Sequence, residues 1–240
     1  MNNLLLLRHA QSLWNKQRRF TGWADIELTE QGKSEAKYAG QLIKKLNIEF
    51  HAYFTSVQIR AIDTLEIILD VLGKKNSKIE KAYQLCERHY GQLTGLSKDE
   101  MIKKHGKKQV HIWRRSFDVP PPPMGKTHPN HPSKYKAYIN IPNDKIPDGE
   151  SLKNTFDRVM PYYEENIKPL LSSNKNVLIS AHGNSLRALC KKLLNISNKK
   201  IMDFEIPTGN PLLITFGENL EVKKYKYLDD GRATNIFFNV

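Results

Sequence analysis

Cysteine is scarce: Cys86 and Cys190 are the two in 240 residues. Two thiols build no disulfide framework, and a reducing compartment suits such a chain. Long apolar runs are missing too. No stretch reaches the roughly 18 apolar residues of a membrane-spanning helix. The N-terminus has no basic region followed by a small-residue cleavage site, so it does not read as a secretory signal. "LLLL" at 4–7 is too short for one and runs straight into Arg8 and His9. These absences predict a cytoplasmic protein. Acidic residues are in deficit, 25 against 38 Lys and Arg, for a net charge of +13. Such an excess can mark a polyanionic partner. Here it is spread as lysine doublets starting at 44, 74, 103, 107, 191, 199 and 223, the pattern of solvated helix faces rather than one groove. No aromatic-plus-basic recognition motif accompanies it, so no nucleic-acid partner is expected. No His/Asp/Glu cluster has metal-ligand spacing, so no metal is expected.

What is present is alternation. The apolar stretch 3–7 reads as a strand covered on both faces. Thr29 caps a helix whose Ala36, Ala39, Leu42, Ile43 and Leu46 recur at helical spacing. A strand is predicted at 52–56, then a helix with Ile62, Leu65, Leu69 and Leu72 on one face and Gly73 at its end. Another strand is predicted at 78–85. Ser97, with Glu100 three residues on, opens a further helix. Residues 117–149 break the pattern; the stretch 119–151 holds eight prolines. That part reads as a loop or lid within an insertion over 88–150, not as a linker, because regular units resume behind it. A helix follows over 151–171, then a strand at 176–181, a turn at 182–184, and a helix. Strands at 211–216 and 221–228 close the pattern, and 229–240 reads as a flexible tail. The whole predicts a single α/β domain over 1–240. Its form is a three-layer α/β/α sandwich around a mostly parallel sheet.

In such sheets ligands bind beyond the carboxyl ends of the strands. His9 and His182 both sit there, with Arg8 beside the first and Gly183 and Asn184 after the second. A neutral imidazole is a good nucleophile toward phosphorus. Cations must then hold the phosphoryl oxygens, and the arginine fork matches them. Arg8 and Arg60 stand at strand ends and suit that task. Each has a plainer reading: Arg60 as a helix cap or a partner of Asp63, Glu87 as a surface partner of Arg88, and Arg114 with Arg115 as a solvated basic pair.

Four motifs in order tip the balance. "LLRHAQSLWNKQRRFTGWADIELTEQG", "TSVQIRAIDT", "ERHYGQLTGLSK" and "GESL…AHGNSLRAL" resemble the signature of the cofactor-dependent phosphoglycerate mutases, within the histidine phosphatase superfamily. The likeness runs from about residue 3 to 216. It implies that His9 is the phosphohistidine, that Glu87 is the proton donor and acceptor, and that His182 steadies the phosphoryl group with Arg8 and Arg60. It places Ser12, Asn15, Thr21, Gly22, Arg88, His89, Tyr90, Lys98, Arg114, Arg115, Gly183 and Asn184 at substrate-contacting positions. It further implies interconversion of 3-phosphoglycerate and 2-phosphoglycerate, primed by 2,3-bisphosphoglycerate without a metal, in a homodimer or homotetramer. One departure stands out: Ala10 occupies a position where the family usually has Gly, and its methyl is expected to matter little. Phosphatases of the superfamily share the histidine–arginine core but let water attack the intermediate. The charged, proline-rich 88–150 segment favours a mutase. A non-catalytic basic binding protein is disfavoured by the intact catalytic set.

Overall fold

The computed structural model describes residues 2–233. The leucine run forms β1 (Asn2–Arg8). Leu4 and Leu6 enter one core cluster, Leu5 and Leu7 another on the opposite face. All four are fully buried. That is why the strand is apolar at every position rather than at alternate ones. Each such leucine contributes about 1.5–3 kcal/mol of burial.

The remaining elements follow in order: α1 (Leu13–Lys16), α2 (Glu30–Lys44), β2 (Ala52–Thr55), α3 (Ile59–Val71), β3 (Ile79–Lys81), α4 (Lys98–His105), α5 (Lys107–Arg115), α6 (Leu152–Tyr162), α7 (Lys168–Ser172), β4 (Val177–Ala181), α8 (Gly183–Leu193), β5 (Leu212–Phe216) and β6 (Val222–Tyr227). The strands form one sheet in the order β3-β2-β4-β1-β5-β6. β1, β2, β3 and β4 run parallel; β5 and β6 are antiparallel additions at one side. Helices α2 and α3 cover one face, α6 and α8 the other. The sandwich expected from the strand–helix alternation is therefore the fold observed. Gly40 lets α2 approach α3 closely, since a Cβ there would lie 2.9 Å from the Val71 Cβ.

Three details differ from expectation. The strand predicted at 78–85 stops at Lys81 and gives way to a 3-10 turn at Tyr83–Leu85. Beyond Lys81 the backbone carbonyls are claimed by Arg158 instead of a neighbouring strand. The helix predicted over 151–171 is interrupted by a π-helical turn at Tyr163–Ile167. Pro169 follows that turn; it has no N–H to offer and its ring crowds the carbonyl four residues back, so an uninterrupted ladder is not available. On α3 the buried stripe runs through Ala61, Leu65, Ile68 and Leu69, leaving Ile62 and Leu72 at its margins.

Residues 117–149 carry only short 3-10 turns, yet they are tied down. Pro122 O accepts from Gln92 N at 2.9 Å, and Met124 N donates to Asp148 O at 2.6 Å. Tyr138 is buried, stacks on Trp23 with centroids 5.0 Å apart, and donates to Trp23 O at 2.6 Å. At the C-terminal end, Arg232 pairs with Asp229 at 2.6 Å and donates to Gly209 O at 3.2 Å. The rest of the expected tail, 234–240, lies outside the described residues.

Candidate active site

β1 and β4 are parallel neighbours in a register that pairs Arg8 with Ala181. The next residue of each chain segment is a histidine, so the two strand tips deliver His9 and His182 side by side. His9 N donates to Ala181 O at 2.9 Å, and the two ring centroids are 5.0 Å apart. Arg60 arrives from the first turn of α3, after β2. Its Nη1 and Nη2 donate to the carbonyls of Ala24 and Gly22, both at 2.9 Å, and its Nε points at His9 Nε2 at 3.3 Å. It neither caps its helix nor pairs with Asp63. All three side chains are almost wholly buried.

Burial sets the charge state of this cluster. His9 is held well below its usual pKa, first by desolvation and then by the charges of Arg60 and Arg8; a contact with Ala10 O pulls weakly the other way. It is therefore neutral at neutral pH. Its Nδ1 lies 2.7 Å from Ala10 O; a carbonyl can only accept, so Nδ1 carries the proton and Nε2 keeps the lone pair. His182 is likewise pushed well down, by burial first and then by Arg60 and His9. Its Nε2 meets Ser56 Oγ at 2.7 Å. The Ala10 methyl faces Leu28 and Ala36 in a small apolar cluster, away from these rings.

Glu87 is tied to the segment that follows His182. Its Oε1 accepts from Arg88 N at 2.8 Å and from Asn184 N, the second residue of α8, at 3.1 Å. Its carbonyl accepts from Trp23 Nε1 at 2.6 Å. A buried ion pair braces the same stretch. Arg158 binds Glu150 through Nε at 2.8 Å and Nη2 at 2.9 Å, and donates to the carbonyls of Tyr83, Gln84 and Cys86. Glu150 in turn accepts from His89 N at 2.8 Å. The Glu87 loop is thus fixed from its backbone side, and the two N–H groups on Oε1 orient its carboxylate.

A polar cavity of about 120 Å³ opens beside Glu87. Arg8, Tyr90, Lys98, Arg114, Arg115, Gly183 and Asn184 line it, joined by Arg187, Glu205 and Ile206. Cations outnumber carboxylates, and they press on each other. Burial, with Arg114 and Arg8, brings Lys98 down to about 8; burial, then Arg114, brings Arg115 down to about 10. Burial pushes the Tyr90 phenol up, but Arg88 and Arg114 outweigh it and bring it down to about 8. Arg115 pairs with Glu205. The Nε of Arg8 is buried and has no partner among the described residues. Orphaned donors and crowded cations fit a small, multiply charged anion.

Of the residues singled out from sequence, Arg8, Glu87, Tyr90, Lys98, Arg114, Arg115, Gly183 and Asn184 form the cavity wall, with His9, Arg60 and His182 grouped at the strand tips. Others stand back from it. Ser12 caps α1 and bonds Asn15 at 3.0 Å. Thr21 and Gly22 belong to the turn whose carbonyls hold Arg60; Gly22 has φ +56, and a Cβ there would meet Tyr90 N at 3.0 Å. Arg88 is buried behind Tyr90, its guanidinium 4.7 Å from the ring, and donates to Arg114 O at 2.8 Å. His89 faces Trp23, not the cavity, and its Nδ1 accepts from Gly91 N at 3.0 Å; burial holds it down to about 3. Residues 117–149 contribute nothing to the wall, so the cover over the cavity is the 90–115 part of the insertion together with the 205–206 segment. Arg187 and Glu205 escaped the sequence reading. Arg187 did leave a trace, as a charge on the buried side of an otherwise apolar helix.

Three comparisons relate the chain to known proteins. The histidine phosphatase superfamily (branch 1) family model matches residues 4–131 and 125–225. The 2,3-bisphosphoglycerate-dependent phosphoglycerate mutase of Pelagibacter ubique (strain HTCC1062) is 50% identical over 236 residues, 98% of this chain and 99% of that one. The protein of the same name from Xylella fastidiosa (strain M23) is 51% identical over 230 residues, 96% and 92% of the two chains. Among solved structures, a mycobacterial glucosyl-3-phosphoglycerate phosphatase shares the fold at a TM-score of 0.70 and 19% identity, over 95% of this chain and 97% of its own. With half of its residues shared over nearly its whole length, the chain belongs to the histidine phosphatase superfamily, in the family of the 2,3-bisphosphoglycerate-dependent phosphoglycerate mutases.

Proposed function

We propose that the protein is a phosphoglycerate mutase of glycolysis and gluconeogenesis, interconverting 3-phosphoglycerate and 2-phosphoglycerate through phosphorylated His9. The observation that carries this reading is a neutral, buried imidazole whose Nε2 lone pair faces the Arg60 guanidinium, with the Glu87 carboxylate at the edge of a cationic cavity. Bound 2,3-bisphosphoglycerate supplies the phosphoryl group that primes the enzyme; Arg8, Lys98, Arg114 and Arg115 are the residues that would hold it. His9 Nε2 forms the N–P bond as the ester P–O bond breaks, and Glu87 protonates the departing oxygen. In the return step Glu87 removes the proton from the hydroxyl of phosphoglycerate as that oxygen attacks phosphorus and the N–P bond breaks. Arg8 and Arg60 balance the charge on the phosphoryl oxygens throughout. His182, held by Ser56, offers a further polar edge to the same oxygens. Two free, buried thiols suit a cytoplasmic setting.

A phosphomonoesterase would use the same histidine end with water as acceptor. The deciding experiment is a coupled assay of 3-phosphoglycerate turnover with and without bisphosphoglycerate, in EDTA. Mutase activity that needs bisphosphoglycerate and survives EDTA is expected. Release of inorganic phosphate without 2-phosphoglycerate would replace this reading with the phosphatase one.

A further inference from the structure

The cavity wall contains one cation that the mechanism above leaves unused. Arg187, on α8, is 2% exposed. Its Nη1 donates to Asn184 Oδ1 at 2.7 Å, and its Nη2 donates to the carbonyls of Ile201 and Arg115. Its Nε is buried with no hydrogen-bond partner among the described residues. The plain reading is a structural arginine that ties α8 to the 200–202 turn. Nη2 alone does this; Nη1 bonds within α8, and Nε, on a side chain of the cavity wall, bonds nothing among the described residues. Its strongest charged neighbours are themselves cations, Arg115 and Arg88; Tyr90 and Glu87 pull less strongly the other way, and neither is hydrogen-bonded to it. The carboxylates of the wall are committed elsewhere, Glu87 to two backbone N–H groups and Glu205 to Arg115. A fully buried charge without a counter-ion is costly, and a neutral amide could tie the same two elements. The charge makes sense if the counter-ion arrives with the ligand.

We propose that Arg187 is a specificity-determining residue whose counter-ion is the bound ligand, favouring an anion with two phosphoryl groups over one with a single phosphoryl group. The proposal rests on the mutase reading. Each phosphoryl group carries about −1.5 to −2 at neutral pH. Coulomb energy scales with ligand charge, so one buried cation weighs most on the bisphosphorylated ligand. Burial, with Arg115 and Arg88, brings the Arg187 pKa down to about 9, consistent with a cation held against its surroundings. For a mutase the consequence is retention: the bisphosphorylated intermediate must turn around in the site rather than leave it.

The test is calorimetric binding of 3-phosphoglycerate and 2,3-bisphosphoglycerate to the full chain in a His9→Ala background, where no phosphoryl transfer proceeds. Adding Arg187→Gln should weaken bisphosphoglycerate about tenfold and 3-phosphoglycerate about threefold or less. Equal factors for both ligands, or no change, would overturn the proposal. If the His9→Ala parent binds neither ligand, the mutase reading itself fails, which is a different result. Should Arg187→Gln not fold, Arg187→Lys takes its place, compared with the parent at pH 7 and pH 9. Lys98 and Tyr90, each near 8, titrate in both proteins. A buried lysine at 187 loses its proton more readily than arginine, so preference for the bisphosphorylated ligand should fall further in the lysine variant. An identical fall in both would contradict it.

Discussion

The two ends of the site are built differently. The histidine end stands on the tips of β1 and β4, in the middle of the parallel part of the sheet. His9, Arg60 and His182 are buried, and His9 and Arg60 are fixed largely by backbone carbonyls. The other wall is drawn from α4, α5 and the 205–206 segment, none of them a strand of the sheet. Its lysine and arginines repel one another, and Arg115 pairs with a glutamate that a ligand's anionic group can displace. Bond making needs groups held within fractions of an ångström, which central strands supply. Substrate capture and reorientation need charge more than rigidity, and this wall supplies that. The contrast predicts that damage to the histidine end lowers turnover, whereas damage to the wall first lowers affinity.

The largest effect should come from His9→Ala. It should abolish mutase activity and labelling by bisphosphoglycerate while circular dichroism stays native. Retained labelling would move the nucleophile elsewhere. Glu87→Gln should lower kcat by roughly 10² to 10⁴ with little change in KM, because an acid/base group acts in the transition state. Normal kcat with raised KM would instead place Glu87 in ground-state binding. Arg114→Ala combined with Arg115→Ala should do the reverse, raising KM strongly, since each charged contact contributes about 1.5–3 kcal/mol. It should also raise phosphate release relative to 2-phosphoglycerate formed; an unchanged ratio would show that the wall does not govern partition toward water.

Arg158→Lys sharpens the comparison from beneath. Lysine keeps the charge but cannot reproduce a fork that serves Glu150 and three carbonyls at once. A modest fall in kcat at constant KM is expected. A change in KM alone would break the assignment of this pair to the Glu87 loop.

The smallest effect concerns stability in acid. His9 and His182 have folded pKa values well below the unfolded imidazole value of about 6.5. Below that value the unfolded chain takes up protons that the folded chain refuses, so stability falls as pH drops. Each such histidine contributes a slope of roughly 1.4 kcal/mol per pH unit between its two pKa values. Denaturant titrations at pH 5 to 6.5 should show a shallower slope in His9→Gln than in wild type. Equal slopes would mean that His9 is charged in the fold.

How far the sequence reaches follows the same division. The strand-tip histidines were legible because β1 and β4 announce themselves as continuous apolar runs that end in polar residues. The helices α2 and α8 were legible from period and caps. The wall was harder. Arg114 and Arg115 look like a solvated pair until α5 packs with α4 against Phe20 and Leu93 beside the cavity, and Glu205 gives no local signal at all. The Arg158 bonds to the Tyr83 and Gln84 carbonyls and the Tyr138–Trp23 stack join residues 75, 74 and 115 positions apart in the chain, and no periodicity reports such contacts. The proline-rich segment was readable as irregular, but not as pinned by Tyr138 and by the Pro122 carbonyl, because isolated contacts of this kind have no periodicity.

The most direct measurement follows one labelled phosphoryl group. The enzyme is loaded with bisphosphoglycerate labelled in its phosphoryl groups, freed of ligand, and chased with unlabelled 3-phosphoglycerate. The predicted result is an acid-labile, base-stable label on His9 that leaves on the chase in phosphoglycerates. Label that leaves as inorganic phosphate at the same rate with or without 3-phosphoglycerate would contradict a mutase, and label on any residue other than His9 would contradict the assignment of the nucleophile.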